Sequence, residues 1–136
     1  MSETTKTVVP GAFGWNEMVT SNAEESVKFY TELLGWTTEV TEMPGMTYTT
    51  FKQGDTPVGG CFQPDKIEEG FKPFWMPYIN TIDLDASIEK SKALGAKVLH
   101  ERTDLLMGSF AIISDPSGAS FSFWQDNPDY ACSSES

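Results

Sequence analysis

The stretch Asn22-Ala-Glu-Glu-Ser-Val-Lys-Phe-Tyr-Thr-Glu-Leu-Leu-Gly35 returns, degraded, as Leu84-Asp-Ala-Ser-Ile-Glu-Lys-Ser-Lys-Ala-Leu-Gly95. Ser26-Val27 matches Ser87-Ile88 at an offset of 61, and Gly35 matches Gly95 at an offset of 60. Downstream, Gly45-Met-Thr-Tyr-Thr-Thr-Phe-Lys-Gln-Gly54 lines up with Gly108-Ser-Phe-Ala-Ile-Ile-Ser-Asp-Pro-Ser117 at an offset of 63. One unit is written twice, which predicts duplicated architecture with a pocket built between the copies.

Local signals give that unit its order. Residues 13–19 read as a strand, and Asn22 is placed as a helix N-cap with Glu25 three positions on, the spacing of a capping box. Val27, Tyr30, Leu33 and Leu34 fall on one helical face, and Gly35 can take the left-handed conformation that ends the helix. Strands over 36–42, 46–52 and 57–63 follow, separated by Pro44-Gly45 and Gly54-Asp55. Residues 64–73, charged and punctuated by Gly and Pro, read as a linker. The second copy then runs strand 75–82, helix 86–94 stopped by Gly95, and strands 97–101, 109–114 and 119–125, the last two joined across Asp115-Pro-Ser-Gly118.

The expected fold is therefore α+β: two tandem βαβββ modules forming a curved mixed sheet, a half-barrel with the helices on its outer face. The expected boundaries are a flexible arm over 1–10, module one over 11–63, the linker, module two over 74–126, and a flexible tail over 127–136. At 136 residues the chain can bury a core without staples. Its formal charge of −11 and pI near 4.3 repel phosphate backbones and anionic headgroups, arguing against nucleic-acid and membrane partners. Cys61 and Cys132 lack metal-type spacing and read as reduced bystanders. No apolar run approaches the ~20 residues of a membrane span, and no export signal is apparent, so the expected location is the cytoplasm.

Ser26-Val-Lys-Phe-Tyr-Thr-Glu-Leu-Leu-Gly-Trp36, Ala93-Leu-Gly-Ala-Lys-Val-Leu99 and Asp115-Pro-Ser-Gly118 leading into Phe121-Ser-Phe-Trp124, together with the repeat, resemble the vicinal oxygen chelate superfamily. That superfamily includes glyoxalase I, bleomycin-resistance proteins and extradiol dioxygenases. The resemblance covers about 115 residues. Within it the chain is similar to small glyoxalase-like proteins with a Trp on the first strand and a Trp-x-x-Tyr opening the second copy, here Trp75-Met-Pro-Tyr78.

The resemblance implies where a metal would sit. Metal-dependent members place His and Glu ligands on the first and last strand of each copy. The matching residues here are Trp15, Gly60 (Gly59 if the register slips by one), Met76 and Ser122, none of them an imidazole or a carboxylate. Composition agrees, because zinc, nickel and iron sites draw on imidazole, thiolate and carboxylate. The single histidine, His100, stands beside Glu101 and Arg102 and reads as a surface or edge residue. No metal and no cofactor is expected.

Strand alternation groups Trp15 with Glu17, Met76 with Tyr78 and Asn80, and Ser122 with Trp124 on inward positions. Gly59-Gly60 would leave one strand bare and deepen a pocket, or else mark a bulge or edge bend. The three tryptophans Trp15, Trp75 and Trp124 serve equally well as core. Glu17 is a charge on an inward face, which is expensive unless paired, wet or chemically used. Two functions follow. The first is a metal-free homodimer enclosing a small aromatic or amphipathic molecule against Trp15, Glu17, Gly59, Gly60, Met76, Tyr78, Asn80, Ser122 and Trp124. The alternative is a lyase or isomerase using Glu17 as general base, with Tyr78, Asn80 or Ser122 donating hydrogen bonds, or using a divalent metal bound by an unread route.

Overall fold

The computed structural model describes residues 9–43 and 46–129. The Pro44-Gly45 turn, Cys132 and most of both expected arms lie outside the described residues. The chain is an α+β fold of two βαβββ modules. In order these are β1 (Phe13–Val19), α1 (Ala23–Leu34), β2 (Thr37–Met43), β3 (Met46–Gln53) and β4 (Thr56–Phe62), then β5 (Phe74–Asn80), α2 (Leu84–Ala93), β6 (Lys97–Asp104), β7 (Gly108–Ser114) and β8 (Ser120–Asp126). Residues 64–73 contain no regular element, as their composition predicts.

In the first module the strands run in the order β2-β3-β4-β1. β1 and β4 are parallel, with Glu17 opposite Gly60, and the other pairs are antiparallel. Met18, Phe51 and Cys61 form the buried centre against α1, joined by Val27, Tyr30 and Trp36. In the second module the order is β5-β8-β7-β6, with β5 and β8 parallel and Tyr78 opposite Ser122. Its core is Leu84, Ile88 and Ala111, with Val98 and Phe123 packed against them.

The duplication extends to individual hydrogen bonds. At the start of α1, Asn22 accepts from the Glu25 amide at 3.0 Å, Thr20 accepts from the Asn22 amide at 3.1 Å, and the Gln63 side chain accepts from the Ala23 amide at 2.8 Å. At α2, Asp83 accepts from Ala86 at 3.0 Å, Thr81 from Asp83 at 3.3 Å, and Gln125 from Leu84 at 2.6 Å. Thr20–Ser26 and Thr81–Ser87 hydroxyl pairs complete the two sets at 2.9 and 2.6 Å. Each set satisfies amides that a helix leaves unpaired at its first turn. It also corrects two local expectations. The Asn22 amide is met by Thr20 rather than by the Glu25 side chain of a capping box, and α2 starts at Leu84 because Asp83 caps it.

The compact unit containing the second module begins at Pro77 and includes the segment before Trp15. Backbone bonds explain why: the Gly11 amide donates to the Asn80 carbonyl at 2.8 Å, and the Asn80 amide to Ala12 at 2.9 Å. Among the described residues no helix is long and apolar enough to cross a membrane.

Candidate functional site

Because Met18 packs toward α1, alternation along β1 sends Trp15, Glu17 and Val19 to the opposite face. On that face the Trp15 indole donates to the Tyr48 hydroxyl at 2.9 Å. The phenol of Tyr48 lies over Gly60, where a β-carbon would collide with it. The void anticipated above Gly60 is thus filled by Tyr48. Gly59 turns to the other face, where a β-carbon would stand 3.0 Å from the Asn16 carbonyl and 3.8 Å from Trp75. The glycine pair is not itself a bulge: Gly59 and Gly60 pair in register with Phe51 and Thr50, and the shift comes one residue earlier on the same strand, leaving Val58 unpaired between Pro57 and Gly59.

Glu17, two residues on from Trp15 and paired with Gly60, is half-buried. Its charge acts through the sheet: the Cys61 thiol is pushed up from 9.0 to about 11, first by burial and second by the Glu17 carboxylate. Trp75 belongs to the packing around α1, its indole donating to the Tyr30 hydroxyl at 3.1 Å and its ring set edge-on to Tyr30 at 5.4 Å. Met76 is buried.

The second module carries a different surface. Ala111 and Phe123 pack toward α2, so Phe110, Ser122 and Trp124 take the other face. There the Tyr78 ring meets Phe110 at 6.5 Å and Trp124 at 6.2 Å, both edge-on. His100 stacks on Phe110 with centroids 5.4 Å apart and planes 3° from parallel. His100, Phe110, Tyr78 and Trp124 therefore form one row of rings, buried at Tyr78, half-buried at Phe110 and Trp124 and exposed at His100. Trp124 lies over Gly108, a position too close for any β-carbon, and its indole donates to Asp126 at 2.6 Å.

Two other expected site residues have structural partners. Ser122 is fully buried, its hydroxyl 3.0 Å from the Ala111 carbonyl and 3.2 Å from that of Phe123. Asn80 holds the segment before Trp15, its side chain donating to the Val9 carbonyl at 3.4 Å and packing against Gly14.

Sequence reading missed Tyr48, Phe110, Gly108 and His100. Tyr48 and Phe110 were findable, since each sits an odd number of residues from a core position on its own strand. His100 was not. β6 shifts register between Val98 and His100 and again between His100 and Thr103, placing His100 opposite Ile112. Plain alternation from Val98, which packs toward α2, would have put it on the helix side. His100 is an exposed residue on the edge strand β6, as its sequence neighbours suggested, and there it also ends the ring row.

A pocket of about 250 Å³ opens at the end of the second module, lined by Arg102, Asp104, Ser109 and Asp126 among others. Arg102 is bound by Asp104 at 2.9 Å and Asp85 at 3.1 Å, so its charge is matched internally. Asp104 lies below the usual carboxylate range because Ser109 and then Arg102 bond it, and Asp115 does likewise through Ser117 and the Ala119 amide.

The four positions where the resemblance implies metal ligands offer no imidazole, thiolate or carboxylate. Trp15 donates its only polar hydrogen to Tyr48, Gly60 has no side chain, Met76 offers a thioether, and Ser122 is bonded to carbonyls. Among the described residues no group of three or more His, Cys, Asp or Glu is placed to hold an ion.

Fold and sequence together define the class. The chain belongs to the Glyoxalase/Bleomycin resistance protein/Dioxygenase superfamily, whose family model matches residues 12–123. It is 34% identical over 130 residues to the anthracycline biosynthesis protein DauV of Streptomyces sp. (strain C5), an alignment covering 85% of this chain and 47% of DauV. It is 30% identical over 121 residues to the putative glyoxylase CFP32 of Mycobacterium bovis, covering 86% and 46%. The chain thus spans about half the length of the curated relatives it matches. Among solved structures, methylmalonyl-CoA epimerase from Mycobacterium tuberculosis shares the fold at a TM-score of 0.66 and 12% identity, covering 95% of this chain and 97% of that one. The Streptomyces coelicolor methylmalonyl-CoA epimerase, solved with 2-nitronate-propionyl-CoA, does so at 0.60 and 15%, covering 87% and 99%.

Proposed function

We propose that this protein binds a small, planar aromatic molecule without the superfamily metal, on the second-module face that carries Tyr78, Phe110 and Trp124. The observation that carries this reading is the ring row itself. Phe110 and Trp124, half-buried and each set edge-on against the buried Tyr78, form a pre-ordered apolar surface, and Trp124 packs over Gly108. The names of the Streptomyces relatives, anthracycline biosynthesis proteins, suit a planar polycyclic ligand. We assign the protein to the cytoplasm.

Thermal denaturation with a hydroxyanthraquinone dye tests the reading. At 100 times its dissociation constant the dye adds ~2.7 kcal/mol of stability. The wild type should be stabilised and a folded Trp124→Ala variant should not. Equal behaviour of the two proteins, or no stabilisation of either, overturns it.

We also propose that two copies associate. Phe29 and Leu33, one turn apart on α1, are 56% and 62% exposed and make a contiguous apolar pair on the helix surface. Sedimentation should give a mass of twice the 15.0 kDa chain, and a monomer would refute it.

A second reading, a lyase or isomerase, is favoured by one observation: Glu17 is a half-buried carboxylate two residues on from Trp15 and paired with Gly60, a setting suited to a general base. Glu17→Gln should abolish turnover in any assay that detects it while leaving binding of a neutral dye unchanged.

A further inference from the structure

We infer that His100 selects the ligand: as a neutral imidazole it accepts, at Nδ1, a hydrogen bond from the hydroxyl of an aromatic molecule stacked along the ring row. The inference rests on the aromatic-binding reading and adds to it the chemistry of the bound edge.

The tautomer follows from the hydrogen-bond chain. Thr103 Oγ1 lies 3.1 Å from the Glu101 carbonyl, to which it can only donate. A threonine hydroxyl has one hydrogen, so toward His100 the same oxygen is an acceptor. With that hydroxyl hydrogen on the Glu101 carbonyl, His100 Nε2, 3.0 Å away, carries the hydrogen of the contact. In a neutral imidazole with its proton on Nε2, Nδ1 is a lone-pair acceptor. Among the described residues nothing donates to it.

Position makes that acceptor useful. The two register shifts of β6 bring His100 to the ring face, and its parallel stack on half-buried Phe110 joins it to the row that half-buried Trp124 ends on the far side of Tyr78. The stack restrains the ring plane and Thr103 restrains its rotation, so Nδ1 has a defined direction before a ligand arrives. A flat molecule on the row gains apolar contact whatever its substituents. One with a hydroxyl at the His100 end gains a hydrogen bond as well, whereas an ether or a bare ring leaves Nδ1 to water.

His100 is the chain's only histidine, so both halves of the inference can be read directly. In untagged protein, nitrogen-15 imidazole spectra at a pH where the ring is neutral should show the proton on Nε2. A predominant Nδ1–H form overturns the inference. Binding is compared for 2-naphthol and 2-methoxynaphthalene, equal in ring system but with the donor present or blocked. Wild type should prefer 2-naphthol by roughly three- to tenfold, the worth of one hydrogen bond, with a shift of the Nδ1 resonance. His100→Phe, which keeps a ring on Phe110, should bind both with equal affinity. Equal binding by wild type, or a preference that survives in His100→Phe, overturns the selective role and leaves the aromatic-binding reading intact. Failure of wild type to bind either naphthalene overturns both.

Discussion

The phenol of Tyr48 occupies the space directly above Gly60, and from there its hydroxyl accepts a 2.9 Å hydrogen bond from the Trp15 indole. Gly60 is parallel-paired with Glu17, so one missing side chain lets an aromatic ring from β3 reach across β4 to β1.

Gly60→Ala should therefore displace Tyr48 and break its bond to Trp15, costing about 1–3 kcal/mol as an overpacked core position does. Tyr48→Phe, which keeps the ring and loses the hydroxyl, should cost about 1 kcal/mol. Urea denaturation of both variants checks this. A Gly60→Ala protein as stable as wild type would mean that the ring has another place to go.

The repeated helix caps make a paired prediction. Asn22→Ala and Asp83→Ala should each cost about 1 kcal/mol, the worth of an N-cap. The two glutamines should differ. Gln63 serves the exposed amide of Ala23, which water can take over, whereas Gln125 serves the part-buried amide of Leu84, whose side chain is fully buried. Gln125→Ala should cost about 1–3 kcal/mol, and Gln63→Ala well under that. Melting curves of the pair decide it.

Cys61 makes stability depend on alkaline pH. Its folded pKa of about 11 lies above the ordinary 9.0, so below pH 9 both folded and unfolded chains hold the proton and stability is at its full value. As pH rises from 9 toward 11 the unfolded thiol ionises first, and stability falls by roughly 2–3 kcal/mol before levelling off. Cys61→Ala should remove this component of the alkaline slope. Glu17→Gln should reduce it in part, because the carboxylate is the smaller of the two causes. Denaturation between pH 8 and 11 measures all three proteins.

Much of this was legible in the residues in order. The repeat around Gly35 and Gly95, the strand-helix-strand sequence of each module and the facing of Trp15 and Glu17 away from Met18 all follow from signals that act over a few positions, such as caps, left-handed glycines and alternation. The resemblance, read against residue identity, added that Trp15, Gly60, Met76 and Ser122 stand where it implies metal ligands. Contacts between strands are another matter, because register is settled by which neighbours pack. That Tyr48 covers Gly60, that Trp124 covers Gly108, that Ser122 turns its hydroxyl to the backbone, and that two irregularities in β6 carry His100 onto the aromatic face each depend on pairing partners distant in the chain. A single register shift reverses the facing of every later side chain on a strand, and no pattern within that strand announces it.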